Sequence, residues 1–295
     1  MMSNIHQVRG VRDVSHVTIQ GGPGAQGGSG NETGGAGGAG GSPVVNIIKG
    51  SNEDLFKWLG NPPDTQDRQY QLQGLRHEDT GTWLLQDNQL ISWKNTPGIL
   101  WIRGISGTGK SVLSSTIIRD LVDTGNTVAY FFFDFRIPDR QSLDIMLRSI
   151  VWQLSGKSDT PYDSLSNLHK GLGKGTIQPQ RKDLHKVLDD LIVELEQICI
   201  VLDGLDECHR DDWAGLVEFV NRRHGSSIKC HVLFTSQPHQ EFQTGFHGIP
   251  LIQLHGSILD EDIRSLVYSK ILTMSKDSEH ARTFTEKIVK QSDGM

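Results

Sequence analysis

Eight residues constrain this chain more than any other stretch: Gly104-Ile105-Ser106-Gly107-Thr108-Gly109-Lys110-Ser111. Their spacing is G-x-x-x-x-G-K-S. Glycines let the backbone curl closely about an anion, with successive N–H groups turned inward as a nest. Lys110 adds an ammonium that reaches β- and γ-phosphate oxygens, and the Ser111 hydroxyl is a suitable Mg²⁺ ligand. The flanks agree. Residues 98–103 (GILWIR) form an apolar run suited to a buried strand, and residues 112–121 carry apolar side chains at helical spacing. Strand, loop and helix N-terminus in that order set a polyphosphate at the positive end of a helix dipole. Gly104, Ser106, Gly107, Thr108, Gly109, Lys110 and Ser111 are therefore the candidate phosphate-binding residues. A chance glycine turn accounts for shorter patterns; it does not account for one completed by Lys-Ser between such flanks.

A second signal lies where such a P-loop needs one. Residues 197–202 (QICIVL) form a continuous apolar strand that ends in Asp203-Gly204-Leu205-Asp206-Glu207. Buried parallel strands read as apolar runs, and open α/β sheets bind ligands beyond their carboxyl ends. Asp203 is thereby expected beside the P-loop as a Mg²⁺ ligand, direct or through water, together with Ser111. Asp206 and Glu207 lie just beyond, where a carboxylate orients or deprotonates an attacking water, and are the candidate catalytic residues. Taken alone, this acidic turn equally describes a solvated helix cap. Paired with the P-loop, it marks a nucleotide site.

Composition narrows the setting. The chain has 295 residues, 29 Lys+Arg against 35 Asp+Glu and a net charge of −6, so no global basic field draws in nucleic acid. No run of about 18 apolar residues spans a membrane, and residues 1–7 lack a signal-peptide core. The three cysteines, Cys199, Cys208 and Cys230, show no C-x-x-C spacing, which argues for a reducing compartment. A cytoplasmic protein is expected.

Residues 1–50 differ from the rest. Much of the glycine lies in residues 21–43, which cannot bury enough surface to offset backbone entropy and are expected to be disordered. Ahead of them, residues 17–20 (VTIQ) alternate like a short strand with no local partner. A helical lead-in is expected over 51–97, with one helix from 52 to 59 and another from 82 to 93, and a nucleotide-binding domain over 98–295. Within it, strands are expected at 127–135, 228–236 and 249–254, and helices at 143–154, 184–195, 213–220, 262–273 and 281–291. Residues 155–179 read as an exposed insertion. Strands alternating with helices predict an α/β fold, a mostly parallel sheet with helices on both faces.

The P-loop, the Phe-rich strand at 130–135, the strand ending Asp203-Gly204-Leu205-Asp206-Glu207-Cys208 and the Leu233-Phe234-Thr235-Ser236 strand together resemble a NACHT domain, the switch module of STAND P-loop NTPases. More narrowly, Thr80-Gly81-Thr82-Trp83-Leu84-Leu85 resembles the Thr-Gly-x-Trp-Leu-Leu element of fungal NACHT proteins with a nephrocystin-like N-terminal NTPase domain. The resemblance covers about residues 50–295. It implies ATP or GTP binding with Mg²⁺, a homo-oligomer on activation, a protein signalling partner, and a winged-helix or repeat region after the last residue. Relatives commonly carry Thr-Ser-Arg-Pro, whose arginine senses the γ-phosphate; here Gln237 takes that position, without the charge, which implies slow hydrolysis. Residues 17–21 loosely resemble the amyloid-templating motif of some relatives.

Two competing readings remain. A small-molecule P-loop kinase would need an Arg-rich lid, and the acidic strand end suits water activation better. An assembly module, in which nucleotide only gates the N-terminal strand, differs from the switch in its output.

Overall fold

The computed structural model describes residues 17–20, 44–47, 51–77, 80–195, 197–223, 230–275 and 277–292. The chain divides into two units, Met1–Leu55 and Phe56–Met295. In the first, β1 (Val17–Gln20) pairs antiparallel with β2 (Val44–Ile47), Val17 opposite Ile47. This corrects the expectation that residues 17–20 lack a local partner: Val44-Val45-Asn46-Ile47 is a second β-branched run, on the far side of the glycines. The disorder expected over 1–50 otherwise falls outside the described residues.

Helix α1 spans Ser51–Trp58 and is stopped by Gly60 and Asn61, both at positive φ. Three more helices precede the five-stranded sheet: α2 (Gln66–Leu75), α3 (Thr82–Leu85) and α4 (Asn88–Asn95). The single helix expected over 82–93 is broken because Asp87 is extended and its carboxylate accepts from the N–H groups of Gln89 and Leu90, starting a new helix. Helix α2 was not expected from its polar sequence.

Then follow β3 (Ile99–Arg103), α5 (Lys110–Asp123), β4 (Thr127–Phe132), α6 (Leu143–Ser155), α7 (Asp163–Gly171), α8 (Arg181–Glu194) and β5 (Ile198–Asp203). The chain continues through α9 (Trp213–Asn221), β6 (Cys230–Ser236), α10 (Gln240–Gly245), β7 (Leu251–Gln253), α11 (Gly256–Ser275) and α12 (Ser278–Ser292). The region read as an exposed insertion contains α7, anchored by the buried Leu165 and by the Tyr162 ring 4.5 Å from that of Trp152.

The five strands β3–β7 form one sheet, all parallel, in the order β4-β5-β6-β3-β7. Every residue of β5 and β6 is buried, as a sheet covered on both faces requires. Leu100, Ile102, Cys199, Val201 and Leu233 share one core with Leu72, Leu90, Trp93 and the buried side of α5. On the alternate positions, Trp101 stacks on Phe234, and both rings meet Phe246 just after α10. Burying each such large side chain contributes about 1.5–3 kcal/mol. The result is an α/β fold whose strand ends β3, β4, β5 and β6 deliver four loops to one edge.

Candidate functional site

The phosphate loop joins β3 to α5. Gly107 and Gly109 adopt φ of +85° and +78°, and Gly109 caps α5 in the left-handed region. At Gly104 the constraint is space: a Cβ there would lie 2.6 Å from Thr108 Oγ1 and 2.9 Å from Leu254 Cβ. Thr108 is buried and its hydroxyl donates to the Ile105 carbonyl at 2.8 Å, bracing the turn from within. Ser106 is exposed at the crest, and Ser111 is the second residue of α5. Lys110 Nζ donates to the Gly104 and Ile105 carbonyls at 2.8 and 2.9 Å, so its ammonium lies folded over its own loop. Burial lowers the Lys110 pKa from its usual value, and the charges of Asp206, Asp203 and Glu207 pull it back up. The lysine thus shares one electrostatic environment with the three carboxylates singled out in the sequence.

Strand β6 lies between β3 and β5, so the acidic strand reaches the P-loop helix across it. Asp203 is buried, and its Oδ1 accepts from Ser114 Oγ at 2.7 Å and Thr235 Oγ1 at 2.8 Å. Thr235 Oγ1 also accepts from the Gly204 N–H at 2.9 Å, which fixes the turn where Gly204 enters the left-handed region. Ser114 and Thr235 were absent from the residues expected at the site. Their only sequence signals are a hydroxyl one turn beyond Ser111 and a polar residue where an apolar strand exits.

The turn carries Asp206 and Glu207 out of the sheet. Asp206 accepts from the Gln237 backbone N–H and from Gln237 Nε2, so Gln237 lies against the acidic turn. Glu207 accepts from the Phe135 N–H at 3.4 Å. Its pKa is raised to about 7, first by burial and then by repulsion from Asp203, Asp206 and Asp134. Beside it, Asp134 is held below the usual carboxylate range by the Arg136 guanidinium, which pairs with both its oxygens. That pairing occupies Arg136 locally.

A cavity of about 180 Å³ opens beside Gly107, Thr108 and Gly109, walled by Leu75, Val112, Leu113, Leu259 and Ile263. The Thr-Gly-x-Trp element forms part of its rim. Gly81 has φ +73° and a Cβ there would come within 2.8 Å of Leu113 Cδ2, so only glycine fits. Its N–H and Trp83 Nε1 both donate to Asp262 Oδ2, at 3.0 and 2.9 Å, tying the element to α11.

The residues fit a magnesium nucleotide. Glycine N–H groups, a helix N-terminus and Lys110 converge on one anion-sized loop with an apolar cleft alongside. Among the described residues no cluster of three or more His, Cys, Asp or Glu side chains would hold a metal by itself. No described helix is long and apolar enough to cross a membrane.

Among solved structures, the chain is similar to the Walker-type ATPase PABY2304 of Pyrococcus abyssi, at 12% identity and a TM-score of 0.43, covering 73% of this chain and 74% of that one. It is similar to Cdc6p from Pyrobaculum aerophilum at 13% identity and a TM-score of 0.39, covering 69% of this chain and 49% of that one. It is also similar to a structure of Drosophila ORC bound to DNA, at 14% identity and a TM-score of 0.40, covering 75% and 55%. The chain thus spans about half the length of the latter two. No curated protein matches it in sequence. Residues 79–237 match the family described as "Nephrocystin 3, N-terminal". That stretch, just over half of the sequence, runs from the Thr-Gly-x-Trp element through the P-loop and the acidic turn to Gln237, and the chain belongs to this nephrocystin 3 N-terminal family of P-loop NTPase fold.

Proposed function

We propose that this chain is a magnesium- and nucleoside-triphosphate-binding switch of NACHT type that hydrolyses its nucleotide slowly and changes its assembly state with the nucleotide bound. The observation that carries the reading is the Lys110 ammonium folded over its own P-loop in the shared field of Asp203, Asp206 and Glu207. Lys110 exchanges its two carbonyl contacts for phosphate oxygens, and the N–H groups of the glycine loop hold the rest of the triphosphate. Ser111 and Asp203 are the metal-holding residues, with Ser114 and Thr235 keeping the Asp203 carboxylate oriented. Bound magnesium triphosphate supplies the electrophilic phosphorus and neutralises developing charge.

Glu207, raised to about 7, is the group matched to accepting a proton from water near neutral pH. Asp206, held by Gln237, is its alternative or positioning partner. Arg136 is paired with Asp134 and Gln237 carries no charge, so beyond Lys110 the transition state receives little cationic help from these residues, and this supports slow turnover. The apolar cleft beside the P-loop receives the base. Assembly in response to nucleotide, with a signalling partner, follows from the resemblance of the motifs and is part of the proposal, as is action in the cytoplasm.

The test is a titration with ATP and GTP, with and without Mg²⁺. Lys110→Ala should weaken triphosphate binding by on the order of 2–4 kcal/mol through loss of charge-assisted hydrogen bonds. Unchanged affinity in that variant would remove the site assignment, and an elution volume unaltered by nucleotide would remove the switch.

A further inference from the structure

We infer that Asp262, on α11, reads the base of the bound nucleotide by accepting one hydrogen bond from an exocyclic amine, which selects adenine over guanine. The inference rests on the P-loop reading above and adds the identity of the base. Asp262 lines the cleft beside Gly107, Thr108 and Gly109, whose remaining walls are largely aliphatic. An apolar cleft binds any flat base; discrimination comes from its few polar groups. A carboxylate only accepts, so it reads a base edge that donates.

The two known donors to Asp262 decide which edge. The Gly81 N–H and Trp83 Nε1 both reach Oδ2, at 3.0 and 2.9 Å. They hold the carboxylate in one orientation, and among the described residues no other group donates to it, which leaves Oδ1 to a further donor. Guanine presents two adjacent donors, N1–H and the 2-amino group, and satisfies both only on two carboxylate oxygens. With Oδ2 engaged, Asp262 can satisfy only one of them, and the other is left without a carboxylate partner in a largely aliphatic cleft. Adenine presents a single donor group, its 6-amino group, and matches one oxygen.

The experiment uses the full chain with Mg²⁺ and four probes: ATP, purine riboside triphosphate (ATP without its amine), GTP and inorganic tripolyphosphate. ATP should bind on the order of tenfold to a hundredfold more tightly than purine riboside triphosphate, the range for a hydrogen bond to a charged group. In Asp262→Asn the side-chain oxygen stays on Gly81 and Trp83 and the amide nitrogen turns to the base. The acceptor becomes a donor, and preference should shift from ATP toward GTP, whose O6 accepts. A merely structural role for Asp262 would weaken all three nucleotides alike. Equal binding of ATP and its amine-free analogue, or no change in the ATP-to-GTP ratio in Asp262→Asn, would overturn the inference while leaving the P-loop reading intact. Failure of every probe to bind, tripolyphosphate included, would overturn both.

Discussion

Gln237 grips Asp206 at both carboxylate oxygens: its backbone N–H donates to Oδ1 and its side-chain Nε2 to Oδ2, each at 2.9 Å. The residue that follows β6 is thereby latched to the turn that follows β5. Under the proposed reading, in which an arginine here would carry charge to a phosphate, this chain has a neutral amide with a carboxylate to satisfy.

The latch gives a paired expectation. Gln237→Ala removes one of the two bonds to Asp206 and should cost about 1 kcal/mol, read as a lower melting temperature. Gln237→Arg puts a positive charge at that position and should raise the hydrolysis rate at similar nucleotide affinity. A parent protein that already turns over rapidly would show that another cation serves the site.

Glu207 sets a pH dependence whose sign is fixed by its raised pKa, about 7 against a usual 4.5. Between those values the folded chain binds more protons than the unfolded one, so the contribution of Glu207 to stability falls as pH rises through the window and is constant outside it. Glu207→Gln should therefore melt higher than the parent at pH 8 and nearly level with it at pH 4. In hydrolysis, the parent rate should climb as Glu207 ionises near pH 7, and the variant should lose that limb. Identical melting curves against pH for the two proteins would exclude the raised pKa.

Parts of this arrangement were legible in the sequence, for a physical reason. A loop that wraps an anion needs Gly107 and Gly109 at positive φ, and a strand covered on both faces, such as Ile198–Asp203, needs an unbroken apolar run. Helix α2 was hidden because it buries a polar residue: Gln69 Nε2 donates to the Ser115 carbonyl at 2.8 Å, so the helix docks without an apolar stripe. Asp262 reads as one more charge on an amphipathic helix until Gly81 and Trp83 arrive from 181 and 179 residues away. Hydroxyls at Ser114 and Thr235 are equally silent. Their meaning depends on Asp203, which only the strand order brings to them.

Two glycines of the phosphate loop should respond differently to alanine. At Gly104 the new Cβ meets Thr108 Oγ1 and Leu254 Cβ, and neither is free to retreat. Thr108 is held by the Ile105 carbonyl, and the Leu254 N–H donates to the Arg103 carbonyl at 2.7 Å. Overpacking of this kind costs about 1–3 kcal/mol and should deform the nest, so Gly104→Ala should lose both stability and nucleotide affinity. Gly107→Ala finds open space but a φ of +85°, so its cost is backbone strain alone, on the order of 1 kcal/mol. Melting temperatures ranked with Gly107→Ala below Gly104→Ala would contradict the packing argument.

Ser114 and Thr235 both donate to Asp203 Oδ1, yet they are not equivalent. Ser114→Ala removes one of two donors to a buried carboxylate that keeps the other, a loss of about 1–2 kcal/mol. Thr235→Val, close to it in shape, removes a donor to Asp203 and also the acceptor for the Gly204 N–H. A buried amide is then left unpaired at the residue that turns the chain toward Asp206 and Glu207, and the cost should rise to about 2–4 kcal/mol. The functional consequence separates in the same way. Ser114→Ala should weaken the Mg²⁺-dependent part of nucleotide binding by misorienting Asp203, with the metal-free part unchanged. Thr235→Val should also slow hydrolysis, because the turn that aims Glu207 is loosened. Denaturation midpoints, with nucleotide titrations in Mg²⁺ and in chelator, measure both effects. Equal destabilisation by the two substitutions would show that the Gly204 bond contributes nothing to holding the turn.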